Sequence, residues 1–534
     1  MRGRIANGCV AREEVFPQPP RRADSCEHRR PDTCSRHDEL TDRATSFQGP
    51  PPDVAIAGAG VAGLQCAHAL STAGLRVGVL EAAERAGGRA ASWRDEATGE
   101  VVDIGPHVLT TEHAQFMALA QRLGTAPQVL WQPTPMVTLR DRGQTVDMPA
   151  ARGIPPLHGL PLLPPALRCV SFADLLSNTR LAWHAARITE EETHALDGED
   201  ALAMLRRLGV SDTMVEWFFR SAGIALLNVP LERCSAASLM RVFRLMLGRS
   251  GYHFGFPRAG LADLYVPGCE RAVAAAGGAL HTHVRVRRVL VHEGRFAGFA
   301  CDDGRELRAG NGVLALPPRE LAEVLQASGL PPLAPLTATA ASLQPSRYVC
   351  TMLWLDRRVT SLRFWARTAR EGGLNTDWYD LANIREQRGD AGSLIACNAI
   401  HVDDETWTAS DEHIIERTRA ELAEAIPDAA GAQLRHARVH RVPMAVPAPH
   451  PGFERARPGN ATRVEGLFIA GDWTATQVPC SMESAARSGA RAAELVAART
   501  GRDLRLLLAP PETTGLVALL RRRGGSPGSP PARG

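Results

Sequence analysis

Two hydrophobic patterns alternate along the chain: short unbroken apolar runs closed by glycine, and longer stretches with apolar residues at helical spacing. The first run, Asp53–Ala57, has the Val, Ile and Ala content of a buried parallel strand. Val61–Ala73 reads as a helix stopped by Gly74, and Leu75–Leu80 as a second strand. Glu112–Leu123 places Phe116, Leu119 and Leu123 on one helical face before Gly124. Ala150–Leu247 is predicted to be mostly helical, over Leu167–Ile188, Glu199–Leu208, Ser211–Ala225 and Ser235–Leu247, the last opened by an N-cap serine. Within it, Pro149–Pro165 is apolar but too proline-broken for a regular element. A helix over Ala262–Ala276 precedes Ala279–Val291, which alternates as a strand pair does. Arg295–Ala300, Gly312–Leu316, Val349–Leu355 and Ser393–Ile400 read as strands, and Ile414–Ala425 as a helix. The last pair is a buried strand within Gly466–Trp473 and a helix over Ser481–Ala498.

Chemistry attaches first to the strand–helix–strand unit at the front. Gly58, Gly60 and Gly63 stand at G-x-G-x-x-G spacing between the first strand and its helix. In that setting the first glycine permits a tight turn and the second lets a pyrophosphate touch the backbone next to Ala59. The third lets helix and strand pack closely. Glu81 ends the second strand, where a carboxylate accepts hydrogen bonds from a ribose diol. This much allows NAD or FAD. At the far end, Gly471-Asp472 follows the last strand and leads to the last helix. The Gly471 backbone and the Asp472 carboxylate suit the ribityl and phosphate part of a flavin. The helix start aims free N–H groups at the flavin's pyrimidine edge.

Further residues carry a family resemblance. Arg85, Gly87, Gly88 and Arg89 form R-x-G-G-R after Glu81, and Asp103-Ile104-Gly105-Pro106-His107 comes soon after. With Ala470–Thr476 and Met482-Glu483, these resemble the flavin amine oxidase superfamily. Leu227-Asn228-Val229-Pro230 and Ser235-Ala236 make the chain most similar to its phytoene desaturase-like members and their squalene-associated branch, which includes hydroxysqualene dehydroxylases. The resemblance spans Asp53 to about Gly501. It implies FAD as cofactor, Gly87-Gly88 against its pyrophosphate, and Arg89 helping to neutralise that charge. It also implies Val286 backbone contact with the adenine, and Gly105, Met482 and Glu483 at the cofactor. His107 follows a loop expected to approach the cofactor and is the candidate acid or base, with a structural histidine as the alternative. The chain departs from the D-x-G-Q-H of the squalene branch, having Pro106 in place of glutamine.

The implied fold is α/β, a Rossmann-like FAD domain built from discontinuous segments with an inserted helical and mixed substrate lobe. Residues 53–110, 266–320 and 461–503 form the FAD segments, 111–265 a helical substrate lobe, and 321–460 a mixed one. Residues 1–52 and 504–534 read as a disordered and a loose tail. The expected function is an FAD-dependent desaturase or dehydroxylase acting on a long isoprenoid of squalene or phytoene type. Alternatives are an amine oxidase for small amines and a nucleotide-binding scaffold without redox activity. The electron partner stays open.

Composition narrows this in three ways. A net charge of +3 over 534 residues carries no nucleic-acid footprint. Every basic residue other than histidine is arginine. The resemblance makes that informative, because many amine oxidases of the superfamily hold a water near flavin N5 with a lysine. The 11 cysteines show neither a C-x-x-C pair nor metal-ligand spacing, so no metal is expected and a reducing cytosol is. The proline- and leucine-rich segment Ile154–Val170 and the apolar patch Leu516–Leu520 beside Arg521-Arg522-Arg523 suggest peripheral contact with a membrane face, with core packing of the first and a solvated tail for the second as the alternatives.

Overall fold

The structure, a computed structural model, describes residue 47 and residues 49–521 apart from 133, 142 and 388–391. Most of the predicted N-terminal tail, and Arg522-Arg523, lie outside the described residues.

The nucleotide domain is a parallel five-stranded sheet in the order Ala279–His281, Val77–Leu80, Val54–Ala57, Asn311–Leu314, Leu467–Ile469. Alternate residues of the first strand face two different layers. Val54 and Ile56 pack on the helices Val61–Thr72, Val266–Ala275 and Met482–Arg499. Ala55 and Ala57 pack toward the antiparallel sheet Val286–His292, Arg295–Cys301, Glu306–Arg308. Strands separated by more than 400 residues of sequence are thus buried on both faces, which is why they read as unbroken apolar runs. The first and last helices touch at Gly489, where a Cβ would stand 2.2 Å from the Ala62 carbonyl oxygen.

The second layer system is a seven-stranded sheet in the order Leu434–Pro447, Pro345–Leu355, Leu394–Ile400, Asp377–Asp380, Phe364–Arg367, Val137–Asp141, Gln144–Met148. One face covers Ile104 and Phe256, and the other packs under the helix Asp411–Ala425. A third core joins the helices of the 170–248 region.

Four expectations need correction. The helix Ala114–Arg122 packs on the helix Met482–Arg499, and the strands Val137–Asp141 and Gln144–Met148 join the seven-stranded sheet, so the span 111–265 is not one helical lobe. The segment Ala279–Val291 is not a strand pair. Its first part runs parallel to Val77–Leu80, and its second part pairs with Arg295–Cys301. The proline-rich segment does form helical turns, Leu157–Leu162 and Leu163–Ala166, because successive prolines suit the unpaired N–H positions of a first turn. Residues 504–520 are not loose. Gln115 Nε2 donates to the Leu506 carbonyl, and the Leu508 N–H donates to Gln115 Oε1. Thr514 N donates to the Gly248 carbonyl at 2.7 Å, Leu516 N donates to the Pro155 carbonyl at 2.9 Å, and Val517 is buried.

That packing sets a test. A chain ending at Pro510 loses the burial of Val517, about 1.5–3 kcal/mol for a side chain of that size. A calorimetric or dye-based melt should show a Tm several degrees below that of the full chain, with Val517→Asp reproducing most of it. Equal melting temperatures would mean that the segment adds no stability.

Candidate functional site

The glycine-rich turn is built by collisions that other residues would suffer. Gly58 has φ +101°, and a Cβ there would lie 2.4 Å from the Ala315 carbonyl oxygen. At Gly63 the Cβ would lie 1.9 Å from the Gly58 carbonyl oxygen. Gly60 is different: a Cβ there would meet nothing within 4 Å, although its neighbour Ala59 is fully buried. Open space therefore lies above Gly60, at the N-terminus of a 12-residue helix with no side-chain cap and no acidic residue in its first turn. Such an end offers unpaired N–H groups and the positive pole of the helix to an anion.

The second glycine pair closes against this turn. Gly87 N donates to the Ala59 carbonyl at 2.9 Å, and a Cβ on Gly88 would lie 3.3 Å from Gly60 Cα. Tyr265, fully buried, donates its hydroxyl to the Gly87 carbonyl at 2.9 Å. Glu81 Oε2 accepts from the Ala59 N–H at 2.8 Å and Oε1 from the Ala83 N–H at 2.9 Å. Burial raises the Glu81 carboxyl above the ordinary range, against the pull of those N–H groups. An uncapped helix end, an open cradle at Gly60 and a half-buried strand-end carboxylate fit the phosphate and ribose of a dinucleotide.

Arg89 and Asp472, 383 residues apart, meet in a two-pronged pair of 2.7 and 3.2 Å. Arg89 Nη1 also donates to the Ala445 carbonyl at 3.0 Å, tying the nucleotide domain to the edge of the seven-stranded sheet. Gly471 N donates to Ser488 Oγ at 3.0 Å, which fixes the loop on the last helix. His107 donates from Nδ1 to the Gly105 carbonyl at 2.8 Å. Burial lowers its pKa, so the ring is neutral with Nε2 unprotonated. A Cβ on Gly105 would stand 3.0 Å from the ring of Tyr348, which brings this loop onto the inner face of the seven-stranded sheet.

Four candidates are engaged with other partners. Val286 pairs with Cys301 in the antiparallel sheet. The chain crosses beside Glu81 two residues earlier, where Val284 N donates to the Glu81 carbonyl at 2.8 Å. The Glu483 carboxylate accepts from Gln115 N at 2.9 and 3.1 Å and from Phe116 N at 3.1 Å. It caps the helix Ala114–Arg122, whose own N-cap His113 supplies no side-chain bond, so it does not face the cradle. Arg85 pairs with Glu84 at 3.2 Å and lies over the Trp93 ring, half-exposed. Met482 begins the last helix and packs into the nucleotide core.

Arg457, which sequence reasoning passed over, organises the Gly471–Thr476 loop from inside. Its guanidinium donates to the carbonyls of Thr474 and Val478 at 2.8 Å and of Asp472 at 3.0 Å, and to Thr476 Oγ1 at 2.8 Å. Nothing local marks it off from Arg455 in PGFERARPGN.

Comparisons with known proteins agree with this geometry. The family described as flavin containing amine oxidoreductase matches residues 61–497. A 15-cis-phytoene desaturase of Solanum lycopersicum is 24% identical, over 85% of this chain and 79% of its own. Hydroxysqualene dehydroxylase of Rhodopseudomonas palustris is 27% identical, over 83% of this chain and 98% of its own. Among solved structures, cyclohexylamine oxidase of Brevibacterium oxydans shares the fold, with a TM-score of 0.61 and 20% identity, over 85% of this chain and all of its own.

Proposed function

From a chain that belongs to the flavin containing amine oxidoreductase family and is an FAD-dependent oxidoreductase, we propose that the substrate is a long apolar isoprenoid, desaturated or dehydroxylated in a chamber beneath the seven-stranded sheet. The observation that carries this reading is the similarity, over more than four fifths of the chain, to a phytoene desaturase and a hydroxysqualene dehydroxylase. The apolar packing of Ile104, Phe256, Met352 and Phe364 on the inner face of that sheet supports it, since an apolar surrounding favours a hydrocarbon by burial.

The roles follow from placement. Gly60, Gly88 and the N-terminus of the first helix hold the pyrophosphate, and Glu81 holds the ribose. The Arg89–Asp472 pair fixes the loop that meets the ribityl chain, and neutral His107 offers Nε2 to the chamber. FAD, when bound, supplies two-electron hydride chemistry; the protein orients the substrate and keeps water out.

The test is anaerobic: squalene-series or phytoene-series compounds in detergent should bleach the bound flavin, and simple primary amines should not. Because the chain has no lysine, reduced protein should also react sluggishly with oxygen and pass electrons to a quinone instead. Rapid amine-dependent peroxide formation would favour the amine oxidase reading.

Membrane contact forms part of the same proposal. No helix among the described residues is long and apolar enough to cross a bilayer. Instead Ile154, Leu157, Leu160, Phe172, Trp183 and Leu519 are exposed, and the short helix Gly515–Leu520 lies against Pro155 and the helix Thr179–Arg187. Replacing Leu157, Leu160 and Phe172 with serine should weaken liposome co-sedimentation while flavin content stays unchanged. Undiminished sedimentation would remove the membrane role.

A further inference from the structure

Among the described residues, the inner face of the seven-stranded sheet carries a carboxylate, Asp377, that makes no ion pair. Asp377 pairs with Asn398, which in turn pairs with Cys350, so the three form a row across adjacent strands. Its neighbours on the same face, Tyr379 and Tyr348, belong to the cluster packed against Ile104, two residues before Pro106-His107. Asp377 Oδ2 accepts from the Tyr379 hydroxyl at 2.5 Å and from Asn398 Nδ2 at 2.8 Å. Among the described residues Oδ1 is met only by Thr376 Oγ1, at 2.8 Å, and that hydroxyl also lies 3.2 Å from the Asn398 carbonyl. One oxygen is therefore clamped and the other keeps a free lone pair.

Asp197 is held by the Ser235 hydroxyl and the Arg455 N–H, and Glu81 by the Ala59 and Ala83 N–H groups, but six other enclosed carboxylates of this arginine-rich chain are answered by a cation. Asp472 faces Arg89, Asp103 faces Arg385, Asp95 faces Arg438, Asp380 faces Arg358, Glu421 faces Arg367 and Glu483 faces Arg487. Asp377 makes no ion pair among the described residues, and an uncompensated charge in such a place is costly. Yet Asp377 keeps part of its accessible surface while burial is the main influence on its ionisation. Asp377 therefore borders accessible space on a sheet face that is otherwise packed.

We propose that Asp377 is the catalytic proton acceptor of the substrate chamber, with Tyr379 and Asn398 as the residues that position it. The inference rests on the isoprenoid reading and narrows it to the loss of two hydrogens. A substrate C–H bond breaks, its proton goes to Asp377 Oδ1, and its electron pair becomes the new carbon–carbon π bond. The hydride lost from the adjacent carbon is balanced by the enzyme's two-electron flavin oxidant. The carboxylic acid then returns its proton to solvent. The titratable groups near Asp377 are His107, Tyr348, Cys350 and Tyr379, with Cys397 behind it on the other face of the sheet. Burial pushes the two tyrosines and two cysteines well above their usual ranges, so they stay neutral. His107 is lowered, and it is the other group able to ionise in acid.

The experiment uses the flavin-loaded full chain. Wild type should show substrate-dependent flavin reduction that falls on the acid side through one ionisation. Asp377→Asn should keep its flavin, reduce it about 10²–10⁴-fold more slowly and lose that acid limb. A second readout needs no turnover. Octylammonium should displace the flavin spectrum of wild type at about tenfold lower concentration than octanol, and Asp377→Asn should show no such preference. Tyr379→Phe removes a donor to the charged form, so its acid limb should move to higher pH. A wild-type rate, a retained acid limb or a retained ammonium preference in Asp377→Asn overturns the proposal. If that variant does not fold, an unmoved limb in Tyr379→Phe overturns it. If no isoprenoid reduces the wild-type flavin, the isoprenoid reading falls and the octylammonium comparison alone decides whether Asp377 faces the chamber.

Discussion

Gly60→Val is expected to give a folded protein that carries no flavin. Gly60 has φ −78° and ψ −176°, extended backbone open to any residue, and its Cβ would enter empty space. The fold therefore has no objection to valine. The cofactor does, because the branched side chain fills the cradle at the uncapped helix end where the pyrophosphate must touch backbone. The neighbouring glycines behave in the opposite way. At Gly63 even alanine puts a carbon 1.9 Å from the Gly58 carbonyl oxygen, so Gly63→Ala should cost fold and flavin together. Far-UV circular dichroism with flavin release on denaturation separates the two. Gly60→Val purified with a full complement of FAD would refute the placement of the pyrophosphate.

Arg457→Met should be among the most damaging single changes outside the glycine-rich turn. The arginine side chain is 1% exposed, and its guanidinium serves three carbonyls and the hydroxyls of Thr476 and Ser484. Methionine fills similar volume but donates nothing, so several buried acceptors lose their partners and Glu454 loses one of its cations. Removing one member of a buried charged network costs about 3–5 kcal/mol. The loop from Gly471 to Thr476 should loosen with it, carrying Asp472 away from Arg89. The expected result is a strongly lowered melting temperature in urea or heat, with weakened FAD retention in the protein that remains folded. Arg457→Lys should rescue little, since one ammonium cannot replace a planar fork reaching acceptors in several directions. A Met variant with unchanged melting and flavin retention would show that water replaces the guanidinium.

The sequence by itself determined what depends on neighbours in the chain. Asp53–Ala57, the three glycines, the first helix and Leu75–Leu80 could be read because a tight turn, a helix stop and a buried strand each impose residue types within a few positions. The closing strand and helix were readable for the same reason, and so was the N-cap Ser235, whose hydroxyl accepts from Ser238 N. The strand Asp377–Asp380 was not. It is four residues long with an acid at each end, so it looks like a turn until six partners complete the sheet.

Only the tertiary structure decided which side chains answer one another. Glu483 looked like a residue of the cofactor helix, and it caps a helix whose N–H groups come 367 and 368 positions earlier. Arg89 and Asp472 looked like independent ligands, and they are a pair. Residues 504–520 lacked a pattern able to bury itself, because the surface that buries Val517 is supplied by distant segments around Gly248 and Pro155. Backbone conformation is paid for locally and leaves its mark in adjacent residues. A buried charge or an uncapped helix end can be satisfied from anywhere the fold brings near, and one sequence carries no record of which partner that is.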